Sequence, residues 1–189
     1  IEDGILRPIL TPRQKRISLI RRRIAKAGMN ECISYSFIDK KSAEIFFREG
    51  SLSILANPIS SEMSHMRPSL IPGLCQAAKR NQSRSYNDLK IFEVGEVFYG
   101  NQPGQQKTHA SGIFVGDYYP KSSYPSQRNV DVFDCKRIVE FALLEMGIII
   151  EKTTLLRSKV PSYYHPGRSA AMLLGPNKLL AFFGELNPR

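Results

Sequence analysis

The chain has 189 residues, with 27 lysines and arginines against 17 aspartates and glutamates, and its formal net charge is +10. Hydrophobic residues make up 42% and charged residues 23%, a balance that excludes wholesale disorder. No apolar run approaches the roughly 20 residues that a membrane-spanning helix needs, so we expect no membrane span. The first residue is isoleucine rather than methionine, and we expect this chain to be a fragment of a longer one.

Most of the excess positive charge falls in two segments. Residues 1–26 carry eight basic residues against two acidic ones, and residues 67–90 carry five against one. Basic segments attract polyanions such as nucleic acid. They are equally typical of a solvated helix surface or of a surface that meets an acidic protein. Because aromatic residues are not regularly interleaved with these charges, direct nucleic-acid contact is the less favoured alternative.

The first predicted element is a helix from Pro12 to Ala27. Thr11 suits the N-cap position, proline suits the first helical position, and Gly28 supplies the end. The apolar residues recur at helical spacing: Ile17, Ile20, Ile24 and Ala27.

Residues 32–37 predict a half-buried strand, because apolar Ile33, Tyr35 and Phe37 alternate with smaller side chains. Asp39 can cap a short helix that runs to about Arg48. A further helix begins near Ser69 and tolerates proline in its first turn. Its apolar face consists of Leu70, Leu74, Ala77 and Ala78.

The second half of the chain predicts two hairpins and one helix. Residues 89–99 and 111–115 form a hairpin around a polar loop at 101–107, and residues 168–174 and 179–185 form another around 175–178. Between them lie a turn-rich stretch at 116–130, a helix capped by Asp131 or Asp134 that ends before Gly147, and a strand at 148–156. The order of elements predicts an α+β fold, with an antiparallel sheet flanked by helices, in one domain over residues 1–189.

Residue spacing alone identifies no active site. Three cysteines and three histidines lie too far apart for a zinc motif, and their sparseness favours a reducing compartment, the cytoplasm. Glu93 and Glu96 have opposite parity on their strand and cannot act as a carboxylate pair. No phosphate-binding glycine motif is present, and His165 has no nominated catalytic partner, so a structural turn is the favoured interpretation.

Several ordered strings of residues carry a resemblance to a known family. They are Ala27–Glu31, Ser34–Phe37, Asn57–Met63, Met66–Leu74, Ile91–Phe98, Tyr164–Ala170 and Gly184–Pro188. In these strings, and over nearly all its length, the chain resembles the bacterial phenylalanyl-tRNA synthetase β subunit. The resemblance implies a class II aminoacyl-tRNA synthetase-like core without the chemistry, in an α2β2 enzyme that charges tRNA with phenylalanine using ATP and magnesium. It also implies that the α subunit is the catalytic partner and that this fragment itself holds no cofactor or metal.

The second class II motif ends its first strand in Phe-Arg-x-Glu, and here that position reads Phe98-Tyr99-Gly100-Asn101. The arginine of the motif grips the ATP α-phosphate with a guanidinium fork, which neither Tyr99 nor Asn101 can replace. Lys107 is the substitute cation nearest in sequence. The third motif would follow Pro188. We therefore expect a non-catalytic, architectural domain. A core that retains nucleotide or aminoacyl binding, and a direct tRNA-binding module, remain as alternatives.

Four residues carry further expectations. The helix from Pro12 and the strand that follows match the first class II motif, which implies a subunit interface, and Leu19 and Arg23 lie on the flank expected to meet the α subunit. Arg67 and Arg168 both lie in the shared strings. We expect them to hold carboxylates or backbone carbonyls inside the fold and rank anion binding below this.

Overall fold

The computed structural model describes residues 9–119 and 128–188. Its helices are α1 Pro12–Lys26, α2 Lys40–Phe46, α3 Ile71–Gln82 and α4 Val132–Glu145, with single 3-10 turns at Ser61–Met63 and Ile150–Lys152. Its strands are β1 Asn30–Glu31, β2 Phe37–Ile38, β3 His65–Met66, β4 Leu89–Phe98, β5 Gln106–Val115, β6 Thr153–Leu156, β7 Tyr164–Leu174 and β8 Lys178–Leu186. No helix within these residues is long and apolar enough to cross a membrane.

The strands form three small sheets with the orders β1-β4-β5, β2-β3 and β6-β7-β8. The predicted α+β class and both predicted hairpins, β4–β5 and β7–β8, are confirmed. The sheet is not wholly antiparallel, however, because β1 pairs with β4 in parallel. A parallel pair requires a crossover connection, and the long segment between β1 and β4, which includes α2 and α3, supplies it.

Strand β4 is the centre of the fold because both of its faces are buried. Phe92 and Val94 pack with Ile20 and Ile24 of α1. On the other face, Ile91 packs with Leu74 and Ala78 of α3.

Helix α1 has the predicted caps, since the Thr11 side chain accepts from the Gln14 amide and Gly28 follows with a φ of +90°. The isoleucine stripe of α1 therefore packs inside this domain.

Three predicted strands differ from the structure. Residues 32–36 are not a regular strand, and only short β1 and β2 flank them. Strand β5 begins at Gln106 instead of residue 111, because the polar residues before Ser111 pair with β4 in register. The strand predicted at 148–156 begins only at Thr153, after a 3-10 turn. In the stretch predicted to be turn-rich at 116–130, residues 120–127 lie outside the described residues.

Helix α4 begins with a capping box in which Asp131 is the N-cap and Asp134 reaches back to the Asp131 amide. Both Asp134 carboxylate oxygens also accept from the Arg128 guanidinium, each at 2.7 Å. This fork holds the pKa of Asp134 below its ordinary value.

We expect Asp134→Asn to lower the free energy of unfolding by about 1–2 kcal/mol at pH 7, since an amide cannot accept both guanidinium bonds. A lowered carboxyl pKa stabilises the protein above the unfolded value, about 4, and this stability is lost as the pH falls through the folded value. Urea unfolding at pH 7 and pH 3 should therefore show a difference between the two proteins that shrinks at the lower pH. A difference that is constant with pH would contradict this account of the cap.

Candidate functional site

The most buried charged group is an ion pair between Arg67, which follows β3, and Glu93 on β4. Arg67 is 4% exposed and Glu93 is 2% exposed. Arg67 Nη1 lies 2.6 Å from Glu93 Oε1, and its Nε donates to the carbonyl of Glu96 at 2.9 Å. Ser34 completes the group, because its hydroxyl donates to Glu93 Oε2 at 2.6 Å and accepts from Arg67 Nη1 at 3.0 Å. The arginine thus binds a carboxylate and a carbonyl within the core.

Glu96 belongs to a different contact set. Its Oε1 accepts from Arg13 of α1 at 2.6 Å and from the Thr108 hydroxyl at 2.7 Å. Glu93 and Glu96 therefore face different partners, as their parity on β4 predicted, and they form no acid–base pair.

Arg168 differs from Arg67 in its surroundings. It lies on β7 and binds Glu185 of β8 with Nε 2.5 Å from the carboxylate, but its side chain is 55% exposed. The sequence predicts that Arg168 holds a carboxylate inside the fold. The structure differs, because the carboxylate that it holds lies at the surface. Nearby, the His165 Nδ1 accepts from the amides of Gly167 and Arg168, where β7 has a register shift against β8. The histidine supports an irregular strand.

We expect Arg168→Ala to lower the free energy of unfolding by less than about 1 kcal/mol. An exposed ion pair is only slightly more stable than the same two side chains hydrated separately. Urea unfolding at low and at high salt measures this directly, and salt should reduce the small difference further. A loss above about 2 kcal/mol would mean that the pair contributes as a buried one does.

The segment that follows β1 and runs into β2 carries exposed apolar side chains. Ile33 is 89% exposed, Tyr35 is 75% exposed and Phe37 is 38% exposed, while Ser34 and Ser36 between them are partly buried. The period of two predicted from the sequence is present, but the apolar side faces outward. We call Ile33, Tyr35 and Phe37 the apolar stripe. An exposed row of large apolar residues is typical of an interaction surface.

The two residues expected on the interface flank lie on α1. Leu19 is partly buried. Arg23 places its guanidinium 4.7 Å from the centre of the Phe141 ring and 4.0 Å from Glu145. Arg23 is thus already engaged with α4, whereas the apolar stripe has far more surface to offer. The sequence did not single out this outward orientation, which depends on the burial of Ser34.

Tyr99 and Asn101 lie in the turn that joins β4 to β5. The Tyr99 amide donates to the Gln105 carbonyl at 3.2 Å, and Asn101 is exposed. The Lys107 ammonium lies 4.6 Å from the centre of the Tyr99 ring and 3.5 Å from the Glu49 carboxylate. The one substitute cation considered from the sequence is therefore paired with an acidic side chain.

A cavity of about 1420 Å³ is lined along β5 and β8, and its wall includes Tyr99, Lys107 and His109. Partial desolvation, and then the neighbouring Lys107, lowers the pKa of His109, although the residue is exposed at the surface. Arg48, also on the wall, stacks over the Phe182 ring at 4.5 Å. Arg13 and Arg16 also line this wall, so the cavity carries positive charge although it lacks the arginine of the second motif.

Nucleophiles and metal ligands give no second site in the described part of the chain. All three cysteines are free thiols, and burial raises the pKa of Cys135 to about 11, which keeps it protonated at pH 7. The described residues contain no group of three or more His, Cys, Asp or Glu side chains that could hold a metal ion.

Part of the positive charge in the two basic segments is used within the fold. Arg13 and Arg21 of α1 bind Glu96 and Glu31, and Arg67 is buried. Lys90 lies over the Tyr118 ring at 3.8 Å. These contacts account for part of the basic charge, whereas Lys15, Arg22, Lys79, Arg80 and Arg84 remain exposed at the surface.

Comparison with known proteins agrees with the fold and with the resemblance of the sequence. Residues 4–189 match the family model described as the phenylalanyl tRNA synthetase beta chain CLM domain. The phenylalanine–tRNA ligase beta subunit of Ruegeria pomeroyi is 47% identical over 189 residues, which are 100% of this chain and 23% of that protein. The corresponding subunit of Zymomonas mobilis is 42% identical over 187 residues, 98% of this chain and 23% of that protein. This chain thus spans about a quarter of the length of these relatives.

A solved pyrrolysyl tRNA synthetase from Desulfitobacterium hafniense superposes with a TM-score of 0.64 at 16% identity, covering 94% of this chain and 59% of that one. At that identity, the likeness establishes the fold alone, which is that of the class II synthetases.

Proposed function

The chain belongs to the phenylalanyl-tRNA synthetase β chain family, and from that premise we propose that it is a non-catalytic, architectural domain that docks against the catalytic α subunit. The α2β2 enzyme would join phenylalanine to its tRNA in the cytoplasm, with ATP and magnesium. Residues 1–189 would form one domain of the longer β subunit. The observation that carries the proposal is the apolar stripe, which lies in the segment corresponding to the first class II motif.

The docking surface is proposed from position and exposure together, because Ile59 and Phe133 are also highly exposed but lie outside the segment of the first class II motif. Ile33 and Tyr35 together leave most of two large side chains in water, and burying a large apolar side chain contributes about 1.5–3 kcal/mol. Tyrosine is also enriched among the residues that dominate binding at interfaces. A partner that covers these two side chains therefore gains apolar burial here as one part of a larger interface.

Leu19 and Arg23 remain the proposed flank of this surface, but they are poor sites for a test. Arg23→Asp would place a carboxylate next to Glu145 and would remove the contact with Phe141. Any loss of association would then be mixed with a loss of stability. The apolar stripe is free of this difficulty because Ile33 and Tyr35 are highly exposed.

The proposed absence of catalysis is supported by the residues at the positions of the second motif. Adenylate formation depends on preorganised positive charge at the α-phosphate. Here a neutral tyrosine stands at the arginine position, and Lys107 is paired with Glu49. A lysine point charge is in any case a weak substitute for a guanidinium fork.

We expect Tyr99→Ala and Lys107→Ala to leave phenylalanine-dependent ATP–pyrophosphate exchange by the assembled enzyme within about twofold of its original rate, a negligible barrier change. The β subunit alone should show no exchange, and Tyr99→Arg alone should not create any. The measurement is exchange per assembled heterotetramer, with assembly checked by sedimentation. Two results would favour a catalytic role. One is that Lys107→Ala abolishes exchange by an enzyme that is still assembled. The other is that the α-free β subunit shows exchange and Lys107→Ala abolishes it.

A further inference from the structure

The apolar stripe has little regular backbone structure to hold it. Between β1 and β2, the Cys32 amide donates to the Phe92 carbonyl at 2.7 Å, and the Arg67 amide donates to the Ser36 carbonyl at 2.9 Å. The centre of the segment, Ser34, is held through its side chain by Glu93 and Arg67. In an extended segment whose side chains alternate, small side chains that are held inward leave the apolar ones facing outward.

The ion pair between Arg67 and Glu93 holds Ser34 inward. Glu93 uses one carboxylate oxygen for Arg67 and the other for the Ser34 hydroxyl. Arg67 also approaches the Ser34 carbonyl at 3.4 Å. Both the side chain and the backbone of Ser34 are thus bound by one buried pair, and its neighbours Ile33 and Tyr35 must point the other way.

Two glycines leave this group no room to shift. A Cβ on Gly73 of α3 would lie 2.4 Å from the Ser34 hydroxyl oxygen, and a Cβ on Gly95 of β4 would lie 2.6 Å from Arg67 Nη2. Both distances are far below van der Waals contact. Helix α3 and strand β4 are therefore packed against the serine and the arginine at the closest approach that the backbone allows.

A buried ion pair is a costly way to stabilise a core, because desolvation offsets most of the attraction and apolar residues of equal volume do as well. Fixed geometry is the property that an apolar replacement would not reproduce. The hydroxyl of Ser34 requires an acceptor at a defined position, and the pair provides one.

We propose that Arg67 and Glu93 are positioning residues for the docking surface, which grip Ser34 and so hold Ile33 and Tyr35 outward in the conformation that the partner binds. The inference rests on the proposed function in one respect, because the partner that would bind this surface is the α subunit. The local order of residues 32–36 does not depend on that partner. The ion pair touches none of the partner's atoms in this account and acts only through the serine.

The test uses the full-length β subunit with the substitutions Ser34→Ala and Gly73→Ala. The first removes the gripped hydroxyl, and the second pushes Ser34 out of its place without altering any charge or any stripe residue. Ser169→Ala is the control, because the Ser169 hydroxyl likewise donates one short hydrogen bond, 2.6 Å to the His165 carbonyl, but on β7. Three quantities are measured: thermal stability, affinity for the α subunit by sedimentation, and hydrogen exchange of a peptide covering residues 32–36 in the α-free subunit.

We expect Ser34→Ala and Gly73→Ala to weaken α-subunit binding at least about tenfold, or 1.4 kcal/mol, and to speed exchange in residues 32–36. Ser169→Ala should lower the melting temperature to a similar extent as Ser34→Ala while leaving affinity within twofold and exchange in that peptide unchanged. Unchanged exchange in both Ser34→Ala and Gly73→Ala would overturn the proposal, as would equal losses of affinity in Ser34→Ala and the control.

A failure of the proposed function gives a different result. Tyr35→Asp changes the exposed surface and leaves the hydrogen bonds of Ser34 with Glu93 and Arg67 unchanged. If that substitution leaves affinity unchanged, the α subunit does not dock here. Faster exchange in Ser34→Ala and Gly73→Ala would then still support the ordering role of the ion pair.

Discussion

Replacement of Arg67 by alanine is expected to destabilise the protein by about 3–5 kcal/mol, because it leaves the Glu93 carboxylate buried without its cation. Glu93 is 2% exposed and has Ser34 as its other donor, so water cannot easily take the place of the guanidinium. Such a loss is a large share of the 5–15 kcal/mol that stabilises an ordinary domain. The measurement is urea unfolding, beside Arg168→Ala as the exposed counterpart.

The double substitution Arg67→Met with Glu93→Leu is the control for this prediction. Removing both charges leaves no unpaired carboxylate, so most of the stability should return. If the single Arg67→Ala costs under about 1 kcal/mol, the pair is solvated in solution and is not part of the buried core.

Conversion of the apolar stripe to acid, by Ile33→Asp together with Tyr35→Asp, is expected to weaken association with the α subunit at least about 100-fold, or 2.7 kcal/mol. Both side chains are highly exposed, so the thermal transition should move little. The physical cause is the loss of two apolar contacts and the desolvation of two carboxylates at the interface. Association of full-length subunits is measured by sedimentation at micromolar concentration.

Tyr86→Asp is the matched control because Tyr86 is also a highly exposed tyrosine, 63% exposed, but lies just after α3. It should leave association within about twofold, as expected for a surface substitution outside an interface. An equal loss for Tyr86→Asp would indicate a general charge effect, and no loss for the double substitution would remove the stripe from the interface.

The helices were the most predictable part of the fold because their signals are local. Thr11 and Gly28 delimit α1 through caps that depend on neighbouring residues only. The β4–β5 hairpin was also predicted, but β5 begins five residues early. Gln106 and its polar neighbours read as loop, yet the backbone register with β4 continues to Phe98. Backbone pairing is indifferent to the polarity of a side chain that faces solvent.

The candidate site was less predictable because it depends on contacts between distant segments. The alternation at residues 32–37 gave the correct period and the wrong orientation. Ser34 faces inward because Glu93, 59 residues later, accepts its hydroxyl. The sequence likewise marked Arg67 and Arg168 as equivalent, whereas the position of each on the fold makes one buried and the other exposed.

Photocrosslinking from the stripe in the assembled enzyme tests the docking assignment most directly. A benzophenone amino acid replaces Tyr35 in one full-length β subunit and Tyr86 in another, and the crosslinked products are identified after irradiation with the α subunit. We expect a β–α product from position 35 and none from position 86. A β–α product from position 86 with none from position 35, in an enzyme that is fully assembled, would contradict the assignment of this domain as one that docks through its apolar stripe.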